Sequence, residues 1–222
     1  MLIPEHMTYV SRGAAALALL AALAAPARGE PRTYQVQPNK SRLVVHLLKE
    51  GIGAALAHEH VVRATAMRGA IRLDPAQPGR SSIQITVDAR KLEVDEPGLR
   101  RRYGLDPISA ADREKVRRHM HGADQLYTRR FPRIAFSSSR VTPLGGDRYR
   151  VRGTLTIRGK SRSVQLDVRS HLQGDRFKGS GQLKLKQSRF GYKPYSAGLG
   201  AVRVKDRAIL NIYLEARRSG GR

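Results

Sequence analysis

The chain has 222 residues, with 42 Lys and Arg against 18 Asp and Glu for a formal charge of +24, and neither Cys nor Trp. The lack of Cys excludes disulfides, thiolate metal sites and a lipoprotein anchor, and the charge predicts attraction to anionic surfaces or polymers. The cations are spread over the polar positions of most strand patterns (Arg150, Arg152, Lys184, Lys186, Arg203, Lys205) and show no basic-aromatic motif of a nucleic-acid reader, so nucleic acid is not expected as a partner.

Ala14 to Ala25 is an Ala and Leu run behind Arg12 and ahead of Ala25-Pro26-Ala27. A positive start, a short apolar core and a small-residue site predict a secretory signal peptide. The run is shorter than the ~20 residues that span a bilayer. Cleavage is expected after Ala27, with Gly29 as the alternative, and Met7 is an alternative initiator. Residues 1–29 are therefore set apart from a domain over 30–216, and the mature protein is expected in the periplasm or secreted.

Tyr34 to Val36 reads as an extended entry. Leu43 to Leu48 is a strand apolar on both faces, closed by Gly51 and Gly53. His60 to Leu73 reads as another strand, interrupted near Gly69 and ending at the Asp74-Pro75 turn. Ser82 to Asp88 alternates, with Ile83, Ile85 and Val87 on one face. Between Glu93 and Tyr127 one short helix is predicted: Ser109 is its N-cap, Asp112 lies three residues on, Val116 and Met120 share a face, and Gly122 stops it.

Phe131 to Val168 then reads as two hairpins end to end, with Ile134, Phe136, Leu155, Ile157, Val164, Leu166 and Val168 on one apolar face. Phe177 to Gln187 follows, with Leu183 and Leu185 inward. Val202 to Arg207 and the set Leu210, Ile212 and Leu214 come last, as one strand bent near Asp206 or as two. Residues 217–222 are expected to be a basic, flexible tail. About eight strands with short turns and one inserted helix predict an all-β, eight-stranded antiparallel up-and-down barrel in one domain.

Several strings now carry a likeness. Phe131-Pro132-x-Ile134-x-Phe136-x-Ser138 is followed by Gly153-Thr154-Leu155-Thr156-Ile157-x-Gly159 and Val164. Gln187-Ser188-x-Phe190-Gly191 and Val204-Lys205-Asp206 come next, with Ser41, His58-Glu59-His60 and a helix ending in Met120 upstream. In order and spacing they resemble the YceI-like polyisoprenoid-binding family over nearly all of the mature chain. The resemblance implies an exported, lipocalin-like barrel that is not an enzyme, needs no cofactor, and holds a long isoprenoid or similar lipid in its interior. Two departures, Tyr192 after Phe190-Gly191 and Leu126-Tyr127 ahead of Phe131-Pro132, would change the width of such an interior.

The inward positions available to line it are Val45, Leu47, Ile71, Leu73, Ile83, Ile85, Val87, Ile134, Phe136, Leu155, Ile157, Leu166, Phe177, Leu183, Leu185 and Ile212. The same residues would serve equally to fill a solid core. His58-x-His60 on a strand places two imidazoles on one face, the alternative expectation of a metal site; His119-x-His121 on a helix points its pair apart. No Gly-x-Ser-x-Gly elbow supports Ser-His-Asp catalysis. The basic outer face offers a way to dock on anionic lipid, or on other acidic partners if the core is solid.

Overall fold

Twelve antiparallel strands form one sheet that closes on itself as a barrel of eight staves. The structure, a computed structural model, describes residues 30–53 and 57–220. The expected signal peptide lies outside the described residues. In chain order the strands are β1 (Arg32–Val36), β2 (Arg42–Glu50), β3 (His60–Ala64), β4 (Met67–Leu73), β5 (Ser82–Asp88), β6 (Leu92–Val94) and β7 (Arg133–Gly145). They continue as β8 (Arg148–Ile157), β9 (Lys160–Gln173), β10 (Arg176–Lys186), β11 (Ser196–Ala197) and β12 (Val202–Arg218). Helices α1 (Pro97–Arg102) and α2 (Ala110–His121) sit between β6 and β7.

The first three staves are broken strands. β1 and β2 lie end to end along β12, with Val36 opposite Ala216 and Arg42 opposite Tyr213. Across the break Ser41 replaces the ladder: its hydroxyl donates to the Glu215 carbonyl at 3.2 Å and accepts from the Glu215 amide at 3.0 Å. β4 and β3 form the second stave and β5 and β6 the third, bridged where the Thr65 amide and hydroxyl both donate to the Lys91 carbonyl. The interruption therefore falls at Thr65-Ala66 and not at Gly69. Gly69 lies inside β4, where an added Cβ would come within 2.4 Å of the Gln84 carbonyl, so its role is close approach to β5.

β6 and α1 were not expected. Both are short, and α1 starts on Pro97 behind a Glu96 carboxylate that accepts from the Gly98 and Leu99 amides. Their presence explains why β2 is apolar on both faces. Val45 and Leu47 face the interior, while Val44 packs outside with Val61 beneath Leu99 of α1. The last stave is a single strand with a register shift against β2 between Val204 and Ala208. It runs through Arg217 and Arg218, two residues into the expected tail, because their pairing with β1 closes the barrel.

The two ends of the barrel differ. At the end holding the β7–β8 and β9–β10 turns, Tyr34, Ile71, Ile85, Val87, Phe177, Leu214 and Ala216 fill the interior. Burial of a side chain of this size stabilises by about 1.5–3 kcal/mol, so this end carries much of the fold's stability. At the other end the staves part. β6 has no strand on its outer side, and β9 stays with β10 only from Val168 to Gln173. The turn at that end explains part of the Phe131 motif: Gly159 takes φ +70° between β8 and β9, and the Phe131 ring lies where its Cβ would be, at 2.8 Å.

Candidate functional site

Where the staves part, a cavity of about 450 Å³ opens inside the barrel, in the range of small-molecule sites. Val45 and Leu47 of β2, Val62 of β3, Leu92 of β6, Ile134, Ile157 and Leu185 form its apolar wall, and Val116 and Met120 of α2 look in from the side. Ser109 caps α2 as expected, its hydroxyl accepting from the Asp112 amide at 3.0 Å. Yet α2 has no buried residue. Its apolar residues Val116 and Met120 are half-buried, at the edge of the cavity.

Of the sixteen inward positions, five (Val45, Leu47, Ile134, Ile157 and Leu185) lie on the cavity wall. The other eleven do not. Ile71, Ile85, Val87 and Phe177 are in the closed-end core, with Leu73, Ile83, Phe136 and Ile212 packed against it. Leu155, Leu166 and Leu183 fill the middle layer with Val151 and Phe190. Alternation finds the inward face, but it cannot tell which height of a barrel is filled. Of the departures from the family pattern, Tyr192 and Leu126 line the cavity and Tyr127 does not. Tyr192 is half-buried there, and desolvation of its phenol pushes it up to about 12.

The polar groups of the cavity are His58, His60, His119, Lys115, Arg203, Gln125, Gln187, Asp112 and Tyr195. His60 is the most constrained. Its Nδ1 lies 2.6 Å from Oδ2 of Asp95, whose Oδ1 accepts from the Val61 amide (3.1 Å) and from Arg100 Nη1 (2.7 Å). Asp95 is 1% exposed and holds φ +54°, a conformation kept only because these donors fix it. Burial works to raise its carboxyl, but the His60 hydrogen bond and charge, the Val61 amide and Arg100 together hold it below the usual carboxylate range. An ionised carboxylate only accepts, so Nδ1 carries the proton and donates. Nε2 is left without a protein partner among the described residues.

Arg100 also donates to the Glu59 and Asp106 carbonyls, locking the chain on both sides of the cavity mouth. No sequence pattern marked Asp95 or Arg100: they follow β6 and lie in α1, both unforeseen. His58 and His60 both reach the cavity, but among the described residues no group of three His, Asp or Glu side chains gathers to hold an ion. His119 stacks on Tyr195 with ring centroids 5.2 Å apart, whereas His121 turns to the Thr128 hydroxyl at 3.0 Å, so the helix pair points apart. Among the described lining residues there is no Ser, Thr or Cys.

The remaining family strings form a plug. The turn Gln187–Phe190 sits where β9 leaves β10, with Phe190 1% exposed against the middle layer. Asp206 holds it: Oδ1 accepts from the Ser188 amide at 2.8 Å and Oδ2 from the Ser188 hydroxyl at 2.7 Å. Gln187 Nε2 donates to the Lys205 carbonyl at 2.8 Å. Among the described residues no helix is long and apolar enough to cross a membrane.

A family model described as a YceI-like domain matches residues 34–216. Among curated proteins, a UPF0312 protein of Pectobacterium carotovorum is 26% identical over 126 residues, covering 53% of this chain and 56% of the relative. Protein YceI of Escherichia coli O157:H7 is 25% identical with the same coverage. The chain thus spans about half the length of the curated relatives it matches. Of solved structures, Burkholderia cenocepacia BcnA superposes with a TM-score of 0.62 at 22% identity, covering 82% of this chain and 99% of that one. A Campylobacter jejuni YceI protein gives 0.54 at 17%, covering 72% and 85%. These likenesses bear on the fold.

Proposed function

The chain belongs to the YceI-like family, and from that premise and the cavity we propose that it is an exported, non-enzymatic carrier holding a polyisoprenoid or similar long apolar ligand for transport or storage. The observation that carries this reading is the apolar cavity at one end of an otherwise filled barrel. A hydrocarbon chain offers no hydrogen bonds along its length, so its recognition rests on buried area, at about 25 cal/mol per Å², and on shape. The wall supplies both. The wall residues proposed to touch the chain are Val45, Leu47, Ile134, Ile157 and Leu185, joined by Val116, Met120, Leu126 and Tyr192. The His60 imidazole, fixed by Asp95, supplies one oriented polar contact for the oxygen-bearing end of such a molecule.

Export rests on the N-terminal run of the sequence. The carrier reading is tested by extracting the purified protein into organic solvent and identifying the extract by mass spectrometry. A long-chain lipid at near-equimolar amount is expected. A sample without lipid, which also fails to take one up from an isoprenoid suspension, overturns the reading.

A further inference from the structure

The cavity mouth carries two features that a carrier of apolar cargo does not need for holding it. Ile52, in the β2–β3 loop, is 99% exposed, and Leu199, in the turn ahead of β12, is fully exposed with φ +51°. Their loops are tied together by the Gly53 amide donating to the Ala201 carbonyl at 2.9 Å. The neighbouring Ala57, Ala197 and Val202 line the cavity itself. Two full-size aliphatic side chains thus stand in water on two hydrogen-bonded loops that flank the mouth. Single exposed apolar residues are ordinary, but a tethered pair on adjoining loop tips is a small apolar wedge.

The second feature is a groove on the outer surface where β9 leaves β10. Leu183, Leu185 and Phe190 form its floor, and Leu185 also belongs to the cavity wall. Arg162, Lys184, Lys186, Arg189 and Arg207 surround it, with no acidic residue in the lining. Among the described residues none of these five cations is paired with a carboxylate; the neighbouring Asp206 is turned onto Ser188. Lys186 and Arg207 stand directly opposite each other in the β10–β12 ladder, a like-charge pairing that weakens a sheet. An anionic surface laid against the groove would offset that repulsion.

We propose that this end of the barrel is a docking face for an anionic lipid bilayer, with Ile52 and Leu199 entering the interface and the groove cations resting on the headgroups. Weak apolar insertion and a basic patch are the two signals that together give stable, reversible attachment. The inference deepens the carrier reading by placing the mouth against the membrane that supplies or receives the cargo. It is measured with vesicles and no cargo, so either reading can fail without the other.

The test is co-sedimentation of the protein with vesicles of phosphatidylcholine containing phosphatidylglycerol. Each cation near an anionic surface is worth roughly fivefold in affinity, so Lys184→Gln, Lys186→Gln and Arg207→Gln together are expected to lower binding on the order of a hundredfold. Removing the same charge at the closed end, by Arg148→Gln, Arg169→Gln and Lys178→Gln, is expected to cost much less. Ile52→Ser with Leu199→Ser touches no packed side chain and is expected to lower binding by roughly tenfold or more.

Because the chain has no Trp, Ile52→Trp gives a lone reporter. Its emission is expected to shift to the blue on anionic vesicles and to be quenched by brominated acyl chains. Equal losses from the groove and closed-end variants, or an unshifted reporter on sedimented protein, overturn the proposal. So does a groove variant that loses retention on polyphosphate while keeping its vesicle binding, or self-association through the wedge without vesicle binding.

Discussion

The two ends of this barrel use one strand pattern for opposite purposes. At the closed end, inward residues from staves on either side of β12 meet: Tyr34 of β1 reaches Phe177 of β10 with ring centroids 6.3 Å apart, and both Tyr34 and Ile71 are fully buried. At the mouth end, inward residues of the same kind, such as Leu47 and Ile134, face a hollow. What differs is the continuity of the staves. Breaks at residues 37–41, 65–66 and 89–91 let β2, β3 and β6 swing away from the ring, and α2 stands where a neighbouring stave would. The closed end is held by packing, and the mouth end by polar clamps on its backbone.

Substituting comparable residues at the two ends tests that contrast most directly. Phe177→Ala is expected to cost about 3–5 kcal/mol in urea unfolding, because it opens a cavity inside a filled core. Leu47→Ala removes atoms that already border a void, and is expected to cost well under the ~2 kcal/mol at which packed Leu→Ala losses begin. The binding effects should be reversed, with Leu47→Ala weakening lipid uptake and Phe177→Ala in its folded fraction leaving it intact. Similar stability losses at both sites would erase the distinction.

The clamp at the mouth is of the same order. Asp95→Ala strands Arg100, His60 and the Val61 amide in a site that is nearly dry, and is expected to cost about 3–5 kcal/mol. The pH dependence has a definite sign. The Asp95 carboxyl is held low in the folded protein, so near the usual aspartate range the unfolded chain binds more protons than the folded one. Stability from this group is therefore complete above that range and is lost as pH falls through the depressed folded value. Unfolding midpoints measured from pH 7 downward should fall on acidification, and Asp95→Asn should flatten that limb.

The plug ranks below these. Asp206→Ala removes two hydrogen bonds to Ser188 at a partly exposed site, and is expected to cost about 1 kcal/mol. Because those bonds hold the turn carrying Phe190, the main consequence should be looser closure between β9 and β10. Amide exchange at residues 187–191 should then rise more than at the closed-end turns.

The sequence made the closed end legible and the mouth end only partly so. Ser82 to Asp88 alternates because one face is buried along its whole length, and β5 has those bounds. The Ser109 cap and the Val116–Met120 spacing located α2 for the same reason: local chemistry fixes local structure. The family strings named the fold, and the structure gives several of them physical roles, as with Ser41 across the β1–β2 break and Asp206 on Ser188.

Asp95, Arg100 and the height at which the barrel empties were not legible. They depend on contacts between residues 34 to 41 positions apart in the chain, which no periodicity encodes. Leu126 and Tyr192 could be singled out only as departures from the family's pattern. Both fall on the cavity wall, apart from the strand pairings that form the ring.

Helix α2 offers the finest test, because it belongs to the mouth and yet lacks both of the devices that hold the ends. Its twelve residues bury none of their side chains completely, and beyond its contact with β6 its side-chain ties to the rest are the His119–Tyr195 stack and the His121–Thr128 bond. A helix so placed opens at low free-energy cost, so in lipid-free protein its amides should exchange much faster than those of β5 or β10. A chain filling the cavity gives Val116 and Met120 something to pack against. Protection of residues 110–121 should then rise on lipid binding while the closed-end strands, already filled, change little. Equal protection gains at both ends would mean that the ligand tightens the barrel as a whole, and that the mouth is not the separate, ligand-completed region described above.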